Sequence, residues 1–186
     1  MIVTLPMYDR PEAQAANDRF YDLIRSFLPD APETLSRDGY HWLNPDLLLS
    51  QTCSLPYRTA LQDHVTLVAT PVHDLACPAG MYYSVILVRK NDTRGQLAEF
   101  KNARLAVNSA VSQSGWAAID DMAGADGFAF TNIVETGAHA KSALAVADGT
   151  CDICAVDAVT WQMIERWDAF AADLKVLATT AHTPAL

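Results

Sequence analysis

Short apolar runs that alternate with helix-like segments constrain the fold of this chain most. The sequence predicts strands at residues 2–5, 47–50, 65–70, 82–89, 104–108, 131–135, 151–156 and 174–178. It predicts helices at residues 9–28, 114–123, 138–148 and 159–167. Strands that alternate with helices of this length are typical of parallel sheets covered by helices. The pattern therefore predicts an α/β protein.

The first predicted helix carries its own start and stop signals. Asp9 is a typical N-cap, Pro11 falls in the first turn, and Glu12 follows the cap by three residues. Pro29 marks the end of the helix. The apolar residues at helical spacing between these signals are Phe20, Leu23, Ile24, Phe27 and Leu28.

Composition excludes several classes of protein. The chain has 186 residues, of which 51% are hydrophobic and 19% charged, so it has enough apolar side chains to build a core. No apolar run reaches the roughly 18–20 residues of a membrane-spanning helix. The net charge of −9 argues against a general nucleic-acid binder but is compatible with an anionic small ligand, because a pocket has its own local field.

The N-terminus does not resemble a secretory signal. Met1 leads directly into a strand-like run without a basic segment or a small-residue cleavage site. The expected location is periplasmic if the native chain carries a signal that this sequence does not show, and cytoplasmic otherwise.

The four cysteines are more consistent with core packing than with a redox or metal-binding role. Cys151 and Cys154 have C-x-x-C spacing, but they fall in an apolar run that reads as a buried strand. No second C-x-x-C or H-x-x-x-H motif completes a zinc site, so no metal is expected. Cys53 and Cys77 lie in turn-rich loops, and a disulfide between them is an open alternative in an oxidising compartment.

Polar residues follow several predicted strands, at the edge where open parallel sheets bind ligands. The segment 112–115 leads into a helix, where hydroxyls and backbone N–H groups form an anion site. The alternative is that its serine is only an N-cap. The candidate ligand-binding residues are Tyr8, Ser50, Gln51, Tyr82, Ser112, Gln113, Ser114, Gly115, His139 and Asp157.

Each of the other candidates also has a purely structural interpretation. His139 stands in a first helical turn, where it either donates to an anion or lies on the surface. Asp157 either meets a ligand amine or caps the next helix. Tyr8, Tyr82 and Tyr83 either line a cleft or pack in the core, and Glu135 either acts in the site or pairs with a surface cation.

Known catalytic motifs are absent from the sequence. It contains no G-x-S-x-G, P-loop, G-x-G-x-x-G or H-E-x-x-H motif. A dyad of Cys53 with His64 or His73 has no feature in its favour. We therefore expect neither catalysis nor a cofactor.

Several segments stand in an order that resembles a known family, over nearly the whole chain. They look like the PhnD-like substrate-binding proteins of phosphate, phosphite and phosphonate ABC transporters, which are type 2 periplasmic binding proteins. The segments are residues 5–12, 45–53, 112–115, 135–139 and 145–149, with Asp152, Asp157, Ala158, Val159 and Trp161.

The resemblance implies a two-lobed fold in which each lobe is a mainly parallel sheet flanked by helices. With the turn-rich stretch 71–80 as a boundary, the lobes are predicted at 1–78 and 79–174, with residues 175–186 returning towards the first lobe. A small oxyanion or organophosphorus solute is implied in the cleft between them. Ser112, Gln113 and Ser114 match the family's oxyanion loop, and His139 and Asp157 match its histidine and cleft acid.

The resemblance also implies partners. They are an ABC transporter permease and a small anionic or phosphonate-like ligand, without nucleic acid, and a monomer is expected. Two other functions stay open on the same scaffold. One is a cytoplasmic enzyme in which Asp157, His139 or Glu135 performs acid–base work. The other is a cytoplasmic ligand sensor that acts through a partner.

Overall fold

The chain forms two compact units in a computed structural model, which describes residues 1–185. The first unit covers residues 1–69 and the second residues 70–185. The predicted lobe boundary between residues 78 and 79, and the return of residues 175–186 to the first lobe, stay predictions. Within the described residues, 175–185 belong to the second unit.

The first unit is small and has little regular structure. Strands β1 and β2 pair in parallel, with Val3 opposite Leu49. Its core contains Val3, Leu5, Tyr21 and Leu35. The elements are β1 (Ile2–Thr4), α1 (Gln14–Arg25), β2 (Leu47–Ser50), α2 (Ser54–Pro56), the 3-10 turns Pro6–Tyr8 and Pro11–Ala13, and the π-helical turn Tyr57–Leu61.

Two predictions for this unit are wrong. Asp9 does not cap a helix, because its carboxylate accepts a hydrogen bond from Arg37 Nε at 2.8 Å and two 3-10 turns precede α1. Residues 65–70 form no strand, since their β-branched side chains have no partner strand and Val68 is 75% exposed.

The second unit is built on a five-stranded sheet in the order β6–β5–β7–β4–β8. Strands β5, β6 and β7 are parallel to one another, whereas β4 is antiparallel to both β7 and β8. Four strands therefore run in one direction and β4 runs against them. The strands are β3 (Met81–Tyr82), β4 (Ser84–Arg89), β5 (Leu105–Val107), β6 (Ile133–Glu135), β7 (Ile153–Asp157), β8 (Leu174–Thr179) and β9 (Thr183–Pro184).

Helices cover both faces of this sheet. The helical elements are the 3-10 turn Leu97–Phe100, the π-helical turn Gln113–Ala117, α3 (Ala118–Ala125), α4 (His139–Ala147), α5 (Ala158–Trp167) and the 3-10 turn Ala169–Asp173. The predicted strand at 82–89 is interrupted at Tyr83, so that β3 pairs separately with β9.

The alternation of side chains along β4 gives this sheet two cores. Ile86 and Val88 pack with Ile119 of α3 on one face. Val85 and Leu87 pack with α4 and α5 on the other, where Val146 and Ile164 are fully buried. A strand that is apolar at successive positions is typical of a sheet buried on both faces.

Cysteines contribute to the core and not to a disulfide. Cys151 and Cys154 are buried as free thiols, and burial raises the pKa of both. Cys53 and Cys77 are also free, and Cys77 Sγ donates to the carbonyl oxygen of Met81 at 3.1 Å. The structure therefore has no Cys53–Cys77 disulfide.

Candidate functional site

The carboxyl ends of β5, β6 and β7 meet at one edge of the sheet of the second unit. These three strands are parallel neighbours, so the segments that follow them emerge side by side. The amino end of β4 lies at the same edge, because Ser84 is in register with Asp157. Four chain segments therefore bring polar side chains to one place.

Ser112 organises the loop after β5. Its Oγ accepts a hydrogen bond from the N–H of Gly115 at 3.0 Å, and its carbonyl accepts from the N–H of Ala117 at 3.0 Å. The cap prediction is confirmed, although the first turn is π-helical and runs directly into α3. Ser112, Gln113 and Ser114 are all buried.

Ser114 and His139 are brought together across the sheet edge. Ser114 Oγ lies 3.0 Å from His139 Nε2. His139 is the first residue of α4, and the preceding turn is held by Thr136, whose Oγ1 donates to the carbonyl of Val107 at 3.0 Å. Gly137 in that turn has φ +84°, which a residue with a side chain rarely adopts.

Asp157 caps α5, as one of its two predicted roles required, and its contact with a ligand amine stays a prediction. Its Oδ1 accepts from the N–H of Thr160 at 2.9 Å and so caps α5. Its Oδ2 lies 3.5 Å from His139 Nε2, and the side chain is 4% exposed. Asp157 therefore ends β7, starts α5 and places a carboxylate beside the histidine.

Burial lowers the pKa of two histidines that Asp157 influences. Burial lowers the pKa of His139, while Asp157 and the carbonyl of Ala155 oppose that shift. Burial also lowers the pKa of His73, again opposed by Asp157. A single buried carboxylate thus acts on two imidazoles that favour the neutral form.

Sequence reasoning missed two residues of the site, Ser84 and Asn108. Ser84 Oγ donates to the carbonyl of Ser114 at 2.9 Å, and its backbone pairs with Thr180. Asn108 follows β5, and a Cβ added to Gly115 would stand 1.9 Å from its Oδ1. The position of Asn108 after a predicted strand could have identified it as a site residue. Ser84 stands at the start of a strand, where no feature of the sequence indicates a site.

Tyr82 and Tyr83 pack within the second unit. Tyr82 is 3% exposed in β3, opposite Thr183. The ring of Tyr83 lies 5.7 Å from that of His182 between centroids. Glu135 is exposed at the end of β6.

Tyr8, Ser50 and Gln51 belong to the first unit. Tyr8 ends a 3-10 turn, and Ser50 ends β2. Gln51 Oε1 accepts from the N–H of Met7 at 3.1 Å, and Gln51 O accepts from Trp42 Nε1 at 2.8 Å. Gln51 therefore ties the loops of that unit together, and contact of Tyr8, Ser50 and Gln51 with a ligand stays a prediction.

Two further features concern metals and membranes. Among residues 1–185, no group of three His, Cys, Asp or Glu side chains is arranged to hold a metal ion. In the same part of the chain, the helices are too short or too polar to cross a membrane.

Comparison with known families identifies the chain. Residues 47–186 match the family described as the periplasmic substrate-binding protein of phosphonate ABC transporters. The chain belongs to this family. The match includes every predicted site residue except Tyr8, and the resemblance noted in the sequence is confirmed.

Solved structures share the type 2 periplasmic-binding-protein fold. The PhnD1 protein of Prochlorococcus marinus, in complex with methylphosphonate, matches 98% of this chain and 74% of its own length, with a TM-score of 0.75 and 16% identity. The aliphatic sulphonate-binding protein SsuA of Escherichia coli matches 100% and 61%, with a TM-score of 0.58 and 15% identity.

A third similar structure is matched over a smaller share of both chains. A binding protein component of an ABC phosphonate transporter from Pseudomonas aeruginosa matches 57% of this chain but 38% of its own length, with a TM-score of 0.50 and 22% identity. The chain thus spans well under half of that relative. No curated protein matches the chain.

Proposed function

We propose that this protein binds a small phosphorus oxyanion, such as a phosphonate, and presents it unchanged to an ABC transporter permease. The observation that carries the proposal is the contact of Ser114 with His139, beside Asp157 and the Ser112-capped turn. The native protein then acts in the periplasm as a monomer, without a cofactor.

The chemistry of these groups suits an oxyanion. Serine hydroxyls, an imidazole N–H and backbone N–H groups of a first helical turn all donate hydrogen bonds, and the helix dipole favours negative charge there. Hydrogen bonds to charged groups contribute about 1.5–3 kcal/mol each, and burial strengthens them. Ser84 supports the set by fixing the carbonyl of Ser114.

The geometry of Ser114, His139 and Asp157 differs from that of a hydrolytic Ser-His-Asp triad. In such a triad the serine and the carboxylate bind opposite nitrogens of the imidazole. Here Ser114 Oγ and Asp157 Oδ2 both approach Nε2, at 3.0 and 3.5 Å. Asp157 therefore does not orient the ring through Nδ1, and its Oδ1 accepts the hydrogen bond that caps α5. We infer a binding function without turnover.

Calorimetric titration with phosphate, phosphite and methylphosphonate tests the proposal. We expect at least one of the three to bind with a Kd well below about 1 mM. Ser114→Ala removes one donor and should weaken binding about tenfold or more, which is the effect of about 1.4 kcal/mol. Thr93→Ala is the matched control, since it removes an exposed hydroxyl that follows the opposite end of β4.

Phosphorus NMR of the incubated ligand separates binding from catalysis. The spectrum should show the ligand unchanged after prolonged incubation. Failure of all three anions to bind overturns the ligand class, and the appearance of a new phosphorus resonance overturns the assignment as a binding protein.

A further inference from the structure

Two buried polar atoms next to Gly115 have no hydrogen-bond partner among the described residues. They are Asn108 Oδ1, which can only accept, and His139 Nδ1, which donates when it carries a proton. A Cβ added to Gly115 would stand 1.9 Å from Asn108 Oδ1 and 3.0 Å from His139 Cε1, the ring carbon between Nδ1 and Nε2. Asn108 Oδ1 and the Cε1 edge of the His139 ring thus border the same point, although Oδ1 and Nδ1 form no hydrogen bond with each other.

From this arrangement we infer that Asn108 is a positioning residue for His139, and that its amide carbonyl stabilises the doubly protonated imidazolium when an oxyanion binds. The inference rests on the function proposed above. The ligand then binds together with one proton, which goes from solvent to the imidazole ring. No other bond forms or breaks.

The surroundings of His139 support this role because almost every neighbour is an acceptor. Asp157 Oδ2 lies 3.5 Å from Nε2, and Ser114 Oγ lies 3.0 Å from the same atom. The carbonyl of Ala155 also favours the charged ring. Beyond Asp157, His73 is the other titratable group, and it acts on the carboxylate.

Burial makes the ring of His139 favour the neutral form. Burial disfavours the imidazolium, and one carboxylate already shared with a second histidine offsets this only in part. An oxyanion at Ser114 adds negative charge beside Nε2. This charge favours protonation of the second ring nitrogen. Asn108 Oδ1 then accepts a hydrogen bond from the added proton.

The geometry also explains the residue type at position 108. Oδ1 occupies the space that a side chain at residue 115 would fill, so the amide is held against the backbone of the serine loop. An apolar side chain of the same size fills this space equally well. Only an oxygen at this position can accept a hydrogen bond from the ring. An apolar substitution therefore distinguishes a role in positioning His139 from a role in packing.

Isosteric substitutions of Asn108 test the inference. Methylphosphonate is titrated calorimetrically at neutral pH in two buffers of different ionisation enthalpy, which counts the protons taken up on binding. We expect close to one proton for the native protein, with affinity rising up to about tenfold for each unit by which pH falls. Asn108→Leu should lose more than half of this uptake, because a leucine side chain accepts no hydrogen bond from the ring.

Further variants keep the result interpretable. His139→Gln should abolish proton uptake, and Asn102→Leu, at an exposed turn, should match the native protein. If Asn108→Leu does not fold, Asn108→Ala replaces it and carries the same expectation.

Each outcome decides one of the two proposals. Uptake that is unchanged in Asn108→Leu or Asn108→Ala overturns the role of Asn108. Uptake that persists in His139→Gln places the proton on the ligand and overturns the inference, while the binding function stands. Absence of any methylphosphonate, phosphate or phosphite binding overturns the proposed function itself.

Discussion

Gly115 is the residue on which the geometry of the site depends most. The loop that carries Ser112 and Ser114 approaches Asn108 and His139 so closely that no side chain fits between them. Its φ angle is not in the left-handed region, so the requirement is one of space and not of backbone conformation. The sequence shows this glycine in a serine-rich loop but not the two side chains that make it necessary.

Replacing Gly115 with alanine should therefore damage the site. The new methyl group would stand 1.9 Å from Asn108 Oδ1, so either that amide or the serine loop must move. We expect the Kd for methylphosphonate to rise more than tenfold in Gly115→Ala. Adding Asn108→Ala removes the clash and should restore part of the affinity, which calorimetry of the four members of the double-mutant cycle measures.

Gly124→Ala provides the control for this cycle. Gly124 lies in α3 with nothing within 4 Å of an added Cβ, so alanine should be neutral or stabilise by about 0.5–1 kcal/mol. Native-like binding by Gly115→Ala, with the same folded spectrum, would contradict the close approach described here.

At the level of elements, α1 shows where a periodic pattern misleads. Phe20, Leu23 and Phe27 repeat at helical spacing, yet they are 50%, 67% and 84% exposed. The side chain that α1 fully buries is Tyr21, whose hydroxyl donates to the carbonyl of Pro32 at 2.5 Å. The apolar repeat predicted the helix correctly but not the face that packs.

This difference predicts very unequal effects on stability for two aromatic substitutions in the same region. Tyr21→Ala should lower the free energy of unfolding by about 3–5 kcal/mol, because it opens a cavity in the core of the first unit. Phe27→Ala should change it by less than about 0.5 kcal/mol, since that ring is exposed. Urea unfolding followed by circular dichroism measures both, and similar losses for the two variants would refute the assignment of the buried face.

Elements that depend on distant partners were the ones that sequence reasoning placed wrongly. Asp9 has the local context of a helix cap, but its partner Arg37 lies 28 residues away along the chain. The run at 65–70 has strand-forming residues but no neighbouring strand. In contrast, β4, β5 and β7 were predicted closely, because apolar side chains on both faces already specify a buried strand.

For the molecule as a whole, the fold was more predictable than the site. The alternation of strands and helices places the residues that follow parallel strands at one edge of the sheet. Ser114, His139 and Asp157 were therefore expected together, and they are found together. Ser84 was not expected, because β4 alone runs antiparallel and brings its first residue to the edge where its neighbours end. That reversal depends on strand pairing, which no local pattern encodes.

The stability of the whole chain should depend on pH through two partly buried histidines. Burial lowers the pKa of His139 and of His73 in the folded state, so the folded chain binds fewer protons than the unfolded chain. The stability they provide is present above about pH 6.5, the value for an unfolded histidine, and is lost as pH falls below it. We expect a lower Tm at pH 5.5 than at pH 7.5.

Variants and a second pH range check this assignment. His139→Gln should narrow the difference in Tm between the two pH values, whereas the exposed His64→Gln should leave it unchanged. A separate loss should follow between about pH 4 and pH 2, because Arg94 lowers the pKa of Asp92 to about 2 and Ser36 and His41 do the same for Asp38. An equal difference in Tm for His139→Gln and the native protein would contradict the role of His139.

The reversed strand β4 also has a consequence for synthesis on the ribosome. It is the first strand of its sheet to emerge, yet both of its neighbours, β7 and β8, are encoded more than 60 residues later. Translation proceeds at about 5–20 residues per second, so both edges of this strongly apolar strand stay unpaired for several seconds. Nascent chains of this protein should therefore engage chaperones until translation has passed residue 179, the end of β8.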